Sequence, residues 1–192
     1  MAKLYFNYSS MNAGKSTMLL QANHNYIERG MKPEIYTSNL DSRFGTGEIV
    51  SRIGLKSKSN IFDIKTDIYS EILNKRNKKK IDCVLIDEAQ FLTKDQVTQL
   101  GQVVDTLNIP VLTFGIRTDF QGNLFEGSKY LLAWADNLKE IKTVCHCGRK
   151  ATMVLRLNEQ GQIVEDGSQI DIGGEEKYVS VCRKHFNEKN IG

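Results

Sequence analysis

Proline is scarce in this sequence. The chain has 192 residues with 2 prolines, and hydrophobic residues make up 40% of it, which argues against an intrinsically disordered protein. No uninterrupted apolar run is long enough to span a membrane, and the N-terminus does not resemble a signal peptide. We therefore expect a cytoplasmic protein without a membrane partner, built as one domain or as one domain with a small appendage.

Charge and cysteine are also limited. A formal net charge of +3 points to no particular partner, and the chain has 4 cysteines. Thiols stay reduced in the cytoplasm, so these cysteines are not expected to form a disulfide framework. Cys145 and Cys147 form one close pair of donors, and Cys182 and His185 form another.

Two close pairs of soft or borderline donors predict a tetrahedral zinc site. A site closed by four protein ligands leaves no open position for chemistry, so the zinc is expected to be structural. His146 is a competing donor. The alternative to a metal site is a set of unlinked, reduced cysteines.

A phosphate-binding loop is predicted near the N-terminus. Gly14-Lys15-Ser16 stands between a strand-like apolar run and a helix-like run. In such a loop, backbone N–H groups surround a polyphosphate, the lysine contacts the outer phosphates and the serine hydroxyl reaches Mg²⁺. Ser9 stands where the first glycine of the pattern is usual. The alternative is an ordinary helix N-terminus with a serine cap.

Two adjacent acids end a later apolar run. Asp87 and Glu88 follow Val84-Leu85-Ile86, and phosphate-loop proteins place such an aspartate near Mg²⁺. Successive side chains of a strand point in opposite directions, so the two acids are expected to have different roles. We expect Asp87 to share Mg²⁺ with Ser16, and Glu88 to act as a general base.

These two motifs together predict binding of a nucleoside triphosphate with Mg²⁺. The predicted ATP-binding residues are Ser9, Ser10, Met11, Asn12, Ala13, Gly14, Lys15, Ser16, Asp87, Glu88, Ala89 and Gln90.

Strand-like and helix-like segments alternate up to about residue 140, which predicts a parallel α/β sheet with helices on both faces. The predicted strands cover residues 3–8, 34–38, 81–86, 110–114, 138–144 and 178–181, and the predicted helices cover 16–29, 67–75 and 93–107. Residues 131–134 are expected to form a helix that faces the core. Residues 39–59 read as one long polar loop, in which Asp41, Arg43 and Arg52 are candidate phosphate contacts.

The motifs resemble, in order, those of the type II thymidine kinases. They are S-x-M-x-x-G-K-S, V-L-I-D-E-A-Q-F, G-I-R-T-D-F, the C-x-C and C-x-x-H pairs and I-G-G-x-x-K-Y, and they extend from about residue 3 to residue 186. The resemblance implies a RecA-like P-loop domain over residues 1–140. It also implies a small zinc-ribbon-like domain over residues 141–192 that carries a lasso loop.

The resemblance further implies transfer of the γ-phosphate of ATP to the 5′-hydroxyl of thymidine, with Glu88 as the base. It implies that the lasso contacts thymine largely through main-chain groups. The nucleoside contacts that it implies are Met11, Phe120, Phe125, Gln169, Ile170, Asp171, Ile172, Gly173 and Tyr178. A homotetramer and feedback inhibition by dTTP are further expectations from the family.

Two other functions fit parts of the sequence. Asp87-Glu88-Ala89-Gln90 also looks like the D-E-A-x box of helicases, but a motor of that kind generally needs two lobes or a ring of subunits. No aromatic residue interrupts the lysine-rich run at 75–80, as a stacking surface for nucleic acid would require. A nucleotide-binding switch is the other alternative, although a switch needs no base directed at a second substrate.

Overall fold

We describe a computed structural model, in which the structure is described for residues 1–40, 47–169 and 178–192. The α-helices of this part of the chain are α1 (Lys15–Glu28), α2 (Ile68–Arg76), α3 (Lys94–Leu107), α4 (Glu126–Trp134) and α5 (Arg183–Asn187). Its strands are β1 (Leu4–Ser9), β2 (Pro33–Ser38), β3 (Glu48–Val50), β4 (Lys56–Lys58), β5 (Asn60–Phe62), β6 (Cys83–Ile86), β7 (Val111–Ile116), β8 (Asn137–Glu140), β9 (Thr143–Val144), β10 (Lys150–Ala151), β11 (Met153–Leu157), β12 (Ile163–Val164) and β13 (Tyr178–Val181). Six of the predicted site residues, Asp41, Arg43, Ile170, Asp171, Ile172 and Gly173, lie outside the described residues.

A six-stranded sheet forms the centre of the molecule. Its strand order is β5-β2-β6-β7-β1-β8, and every neighbouring pair in it is parallel. The predicted parallel α/β architecture is therefore confirmed. In a parallel sheet the carboxyl ends of the strands meet at one edge, which is where open α/β sheets bind their ligands.

Helices cover both faces of this sheet. In β6, Cys83 and Leu85 pack with Leu19 of α1 on one face. Val84 and Ile86 point to the opposite face and pack into a core formed with α2, α3 and α4. The strand is apolar throughout because both of its faces are buried.

The long helix α3 begins where the sequence predicts. The Thr93 hydroxyl accepts from the N–H of Gln96, and the Gln96 side chain accepts from the N–H of Thr93, which together form a capping box. Asp67 caps α2 by accepting from the N–H of Ser70. Both helix starts were predictable because capping is a local interaction between residues that are close in sequence.

Two sequence-based expectations need correction. The predicted loop 39–59 contains the antiparallel hairpin of β3 and β4. The hairpin packs against the protein through Ile49, whose side chain is buried in the core on the α1 side of the sheet. In the predicted core-facing helix 131–134, Leu131 is buried but Trp134 is 54% exposed. Trp134 is the last residue of α4, so its side chain lies beyond the buried stretch of the helix.

The chain changes architecture after β8. The single strand predicted over residues 138–144 is two strands, because β8 joins the central sheet and β9 pairs with β10. Beyond them, β11 lies between β12 and β13 in an antiparallel sheet. Cys145, Ala151, Leu155, Val181 and Cys182 form a small separate core here. The boundary between domains at residue 140 stays a prediction.

No helix of the described residues is both long and apolar enough to cross a membrane.

Candidate active site

The loop between β1 and α1 lies at the carboxyl edge of the sheet. Gly14 is the N-cap residue of α1 with a φ of 83°, and no side chain of the described residues caps this helix start. The alternative of a serine-capped helix is therefore wrong. Uncapped N–H groups at a helix start, with the positive end of its dipole, favour an anion.

Ser9 fits its position without strain. In the described loop only Asn12 and Gly14 have a positive φ, so Ser9 has no need of the conformational freedom of glycine. Its buried hydroxyl lies 3.1 Å from Lys15 Nζ, and the carbonyl of Ser10 accepts from the same ammonium at 3.0 Å. The serine thus supports the lysine of the loop.

Hydrogen bonds of other loop residues connect the loop to β10 and to β13. Ser10 Oγ donates to the carbonyl of Ala151 at 3.3 Å, and Ser180 Oγ of β13 donates to the carbonyl of Met11 at 2.7 Å. Ala13 packs against the core on the α1 side of the sheet. Tyr178 is two residues before Ser180 on β13, so its side chain leaves the strand on the same face.

Ser16 and Asp87 meet across the sheet edge. Ser16 Oγ donates to Asp87 Oδ2 at 3.0 Å. Burial, and next the charge of Glu88, raise the pKa of Asp87 to about 7. A buried carboxylate beside a hydroxyl is a set of hard oxygen donors that suits Mg²⁺, and a cation here would offset the cost of burying the charge. The two residues predicted to share Mg²⁺ are therefore brought together.

Glu88 has an unusual backbone and a fixed side chain. Its φ is 50°, a conformation that non-glycine residues rarely adopt. Gln90 Nε2 donates to Glu88 Oε2, and Gln90 Oε1 accepts from the N–H of Ile116 at 3.1 Å. Because the Ile116 contact fixes which end of the amide is the acceptor, the NH₂ group must face Glu88.

Close backbone packing fixes the turn formed by Glu88, Ala89 and Gln90. A Cβ at Gly127 would lie 2.4 Å from the carbonyl oxygen of Ala89 and 2.9 Å from that of Gln90. Only glycine therefore allows α4 to start against the turn. Ala89 and Gln90, both predicted at the site, are buried there.

The predicted aromatic contacts lie in the segment after β7. Phe120 and Phe125 are buried, and Phe125 packs edge-on against Phe91 at 5.9 Å. Gln169 lies near them, because its Nε2 donates to Asp119 Oδ2 at 2.8 Å.

Arg52 reaches the β1–α1 loop from the hairpin region. Its Nη2 donates to Asn12 Oδ1 at 2.9 Å. Sequence reasoning noted this arginine only as a cation on a long loop, because no local pattern indicates a contact across 40 residues.

The four predicted zinc ligands converge. The donor atoms of Cys145, Cys147, Cys182 and His185 all lie within 4.8 Å of one another. Two of the separations are 3.3 Å, from Cys145 Sγ to His185 Nδ1, and 3.9 Å, between the Sγ atoms of Cys147 and Cys182. Tetrahedral thiolates around zinc at 2.3 Å would be about 3.8 Å apart, so this cluster could hold zinc.

The competing donor lies beside the cluster. The His146 ring stacks on His185 with centroids 4.2 Å apart, but His146 is not one of the four converging residues. Burial raises the pKa of Cys145, but N–H groups of Cys147 and Cys182 and the His185 ring outweigh it and lower this pKa to about 6. A thiol that ionises easily suits a metal ligand.

Sequence reasoning missed Asp119 and Arg156. Asp119 is buried in the turn that carries Phe120, and Arg156 is buried in β11 with its guanidinium 4.1 Å from the centre of the Phe120 ring. The available signals were the aspartate of the G-I-R-T-D-F motif, which is Asp119, and an arginine within the apolar strand Val154-Leu155-Arg156-Leu157.

Comparison with known proteins agrees with this site. The family model for thymidine kinase matches residues 2–186. The thymidine kinase of Mannheimia succiniciproducens is 61% identical over 98% of this chain and 97% of its own length. That of Haemophilus influenzae strain Rd is 59% identical over 98% of both chains, and that of Rhodopirellula baltica is 59% identical over 98% of this chain and 89% of its own.

The match covers nearly the whole chain, so it includes the β1–α1 loop, Asp87 and Glu88, and the cysteine–histidine cluster. The chain therefore belongs to the thymidine kinase family.

Proposed function

We propose that this chain transfers the γ-phosphate of ATP to the 5′-hydroxyl of thymidine and so produces dTMP for DNA synthesis. The observation that carries the proposal is the position of Glu88. Its carboxylate, oriented by Gln90, directly follows Asp87, which contacts Ser16 at the start of α1. Glu88, the proposed base for the 5′-hydroxyl, is therefore adjacent to the residues proposed to bind the triphosphate and its Mg²⁺.

The triphosphate is bound by the β1–α1 loop, acting as a P-loop of residues 9–16. The uncapped start of α1 and the positive φ of Gly14 support this role, since backbone N–H groups there can surround phosphate oxygens. Lys15 is held at the loop by Ser9 and Ser10 and would turn to the outer phosphates. Arg52, held at Asn12, would add a second cation to offset charge on the γ-phosphate.

Ser16 and Asp87 would hold Mg²⁺, Asp87 through a water molecule. When bound, the ion would help to neutralise the charge that develops on the phosphate during transfer. The raised pKa of Asp87 supports this assignment, because burial and the charge of Glu88 outweigh the lowering by Ser16 and Lys15, and a bound cation would favour the charged carboxylate.

Glu88 would accept the proton of the 5′-hydroxyl as that oxygen attacks the γ-phosphorus. For this step a carboxylate oxygen of Glu88 must come within about 2.6–3.2 Å of the hydroxyl. The bond from Gln90 to Oε2 fixes the orientation of the carboxylate. The tight packing of Gly127 on the following turn keeps the carboxylate in place.

The thymine base would lie among Met11, Phe120 and Phe125, with Tyr178 beside it. Burial of both phenylalanines and the contact of β13 with the Met11 carbonyl support this placement. Main-chain groups of the lasso, residues 169–173, would complete the site. Only Gln169 of this segment belongs to the described residues.

The cluster of Cys145, Cys147, Cys182 and His185 would hold a structural zinc, and residues 141–192 would act as the domain that carries the lasso. Its four converging donors support this proposal. Two further properties, a homotetramer and feedback inhibition by dTTP, are supported by family membership, as is a cytoplasmic location.

The test is a panel of nucleosides with ATP and Mg²⁺. Thymidine should be phosphorylated in preference to deoxycytidine, uridine and deoxyguanosine. ATP consumption should rise on addition of thymidine and not on addition of single-stranded or duplex DNA, which would stimulate a nucleic-acid motor. Absence of phosphorylation with every nucleoside would overturn the proposal.

A further inference from the structure

A tight turn carries Phe120. Asp119 is 4% exposed, and its Oδ1 accepts from the N–H groups of Gln121 at 2.9 Å and Asn123 at 2.8 Å. The N–H of Asp119 donates to the carbonyl of Asn123 at 2.9 Å. We call residues 118–124 the Phe120 turn. One carboxylate oxygen of Asp119 organises this turn, and its other oxygen remains for a partner outside it.

That partner comes from the segment after β12. Gln169 Nε2 donates to Asp119 Oδ2 at 2.8 Å, and Gln121 Nε2 donates to the carbonyl of Glu165 at 3.1 Å. We call residues 165–169 the β12 loop. Side chains from both segments thus join two stretches of chain that are more than 40 residues apart.

Arg156 adds a third connection. It is 8% exposed and donates to the carbonyls of Ser168 at 3.0 Å and Asp166 at 3.3 Å. The same guanidinium lies over the Phe120 ring, 4.1 Å from its centre. A buried guanidinium gains from both interactions, since the carbonyls satisfy its N–H groups and the ring stabilises its charge.

Gly167 makes this arrangement possible. Its φ is 134°, and a Cβ at this position would lie 2.5 Å from Arg156 Nη2. A side chain here would be strained and would also displace the guanidinium. The β12 loop therefore fits closely around the guanidinium at Gly167, and its carbonyls accept hydrogen bonds from the same group.

We propose that Arg156 and Gln169 are positioning residues that lock the Phe120 turn to the β12 loop, and that this lock fixes the Phe120 ring as a wall of the thymidine site. The proposal rests on the proposed function. The guanidinium of Arg156 lies over one face of the Phe120 ring, so thymine would contact the rest of that ring. A wall that is ordered before the substrate arrives lowers the entropic cost of binding.

The lock should act on the nucleoside and not on ATP. Its residues contact the Phe120 turn and the β12 loop, whereas ATP is assigned to the β1–α1 loop and the start of α1. Loosening the lock should therefore raise KM for thymidine and leave KM for ATP near its wild-type value. A general loss of folding would instead lower the fraction of active enzyme and leave both KM values unchanged.

The first experiment removes the hydrogen bond between Gln169 and Asp119 and then restores it with donor and acceptor exchanged. Gln169→Glu sets a second carboxylate against Asp119, and we expect KM for thymidine to rise about 10-fold, the size of losing one hydrogen bond to a charged group. The double variant Asp119→Asn with Gln169→Glu again pairs an amide with a carboxylate and should return KM to within about threefold. Gln160→Glu is the matched control, because Gln160 is an exposed glutamine of the preceding turn.

The second experiment tests the arginine. Arg156→Lys keeps the charge but loses the planar fork that reaches two carbonyls, and Gly167→Ala keeps the arginine but displaces it. Both variants should raise KM for thymidine at least about fivefold with KM for ATP changed less than about twofold, as for loss of a single hydrogen bond.

Three outcomes would overturn the lock. The first is an unchanged KM for thymidine in Gln169→Glu, the second is no recovery in the double variant, and the third is an equal rise of both KM values in Arg156→Lys. The melting temperatures of wild type, Gln169→Glu, the double variant and Gln160→Glu report the Asp119–Gln169 contact without activity, since the double variant should recover what Gln169→Glu loses. A wild-type enzyme that phosphorylates no nucleoside would overturn the proposed function. If the wild-type enzyme is active and Gln169→Glu has an unchanged KM for thymidine, the lock alone would be overturned.

Discussion

At the scale of single residues, Glu88 combines a strained backbone with a side chain held by Gln90. Strain of this kind costs free energy and is common at active sites. Glu88→Gln keeps the size of the side chain but removes the proposed base, so kcat should fall by roughly 10²–10⁴-fold with KM for ATP nearly unchanged. Steady-state kinetics checks this, with the exposed Glu159→Gln as the control. Near-normal turnover of Glu88→Gln would show that positioning alone suffices for transfer.

Substitutions at the two ends of the β1–α1 loop, at Ser9 and at Gly14, should affect kcat/KM for ATP to different extents. Ser9 lacks a positive φ, and the Ser10 carbonyl still accepts from Lys15 when the Ser9 hydroxyl is removed, so Ser9→Gly should lower kcat/KM for ATP by no more than a few-fold. Gly14 has a φ of 83°, where a β-carbon costs about 1–2 kcal/mol. Gly14→Ala should accordingly lower kcat/KM for ATP by about 10-fold or more, because relaxing the strain moves the loop N–H groups. The reverse order of the two variants would mean that the loop conformation does not govern ATP binding.

At the scale of elements, the sequence predicted what local interactions decide. The capping box at Thr93 lies within four residues, and the apolar run of β6 shows directly that both faces of the strand are buried. The hairpin of β3 and β4 was missed because its short strands are mostly polar, with Ile49 as the buried exception.

The candidate site divides in the same way. Lys15, Ser16, Asp87 and Glu88 were predictable because their chemistry appears in short motifs. The roles of Asp119 and Arg156 were not, because each depends on a partner more than 30 residues away. Only the folded chain brings such partners together, and an arginine within an apolar strand does not reveal what it contacts.

The amino end of β2 contains a buried acid whose effect on stability depends on pH. Glu34 of β2 bonds to Asn60 at 3.1 Å and to Lys75 at 3.3 Å, and it also pairs with Lys79. Burial alone would raise the pKa of Glu34, but these partners, Lys79 first, bring it below its ordinary value. A carboxyl whose pKa is lower in the folded state stabilises the fold above the unfolded pKa, and this contribution is lost as the pH falls through the folded pKa.

Glu34→Gln should therefore lower the free energy of unfolding by about 1–3 kcal/mol at pH 7. The difference from wild type should shrink as the pH falls below about 4. Denaturant unfolding between pH 7 and pH 3 measures this. Glu28→Gln is the control, since Glu28 is an exposed partner of His24 on α1. A difference that does not change with pH would show that Glu34 contributes through packing rather than charge.

At the scale of the whole molecule, the cysteine–histidine cluster connects to the candidate active site through a short path. Cys182 directly follows β13, and Ser180 of that strand donates to the carbonyl of Met11. Ala151, which accepts from Ser10, lies in the same small core as Cys145 and Cys182. Loss of the metal should therefore disturb the β1–α1 loop as well as the C-terminal sheet.

Metal analysis of protein purified without chelator should give about one zinc per chain, the stoichiometry of a four-ligand site. Cys182→Ala should lose the zinc, melt at a lower temperature and show reduced kcat/KM. Cys83→Ala is the matched control, because Cys83 is also a buried thiol but lies outside the cluster. Zinc content and melting temperature that are unchanged in Cys182→Ala would remove this residue from the ligand set.

The most direct test of the central claim follows the transferred phosphate itself. ATP labelled at the γ-phosphate is incubated with wild-type enzyme, Mg²⁺ and thymidine, and the products are separated and identified. The account predicts that the label appears in thymidine 5′-monophosphate in equal amount to the ADP formed, and that Glu88→Gln forms far less of this product. Label found only in inorganic phosphate, or on a position of thymidine other than the 5′-oxygen, would contradict the account.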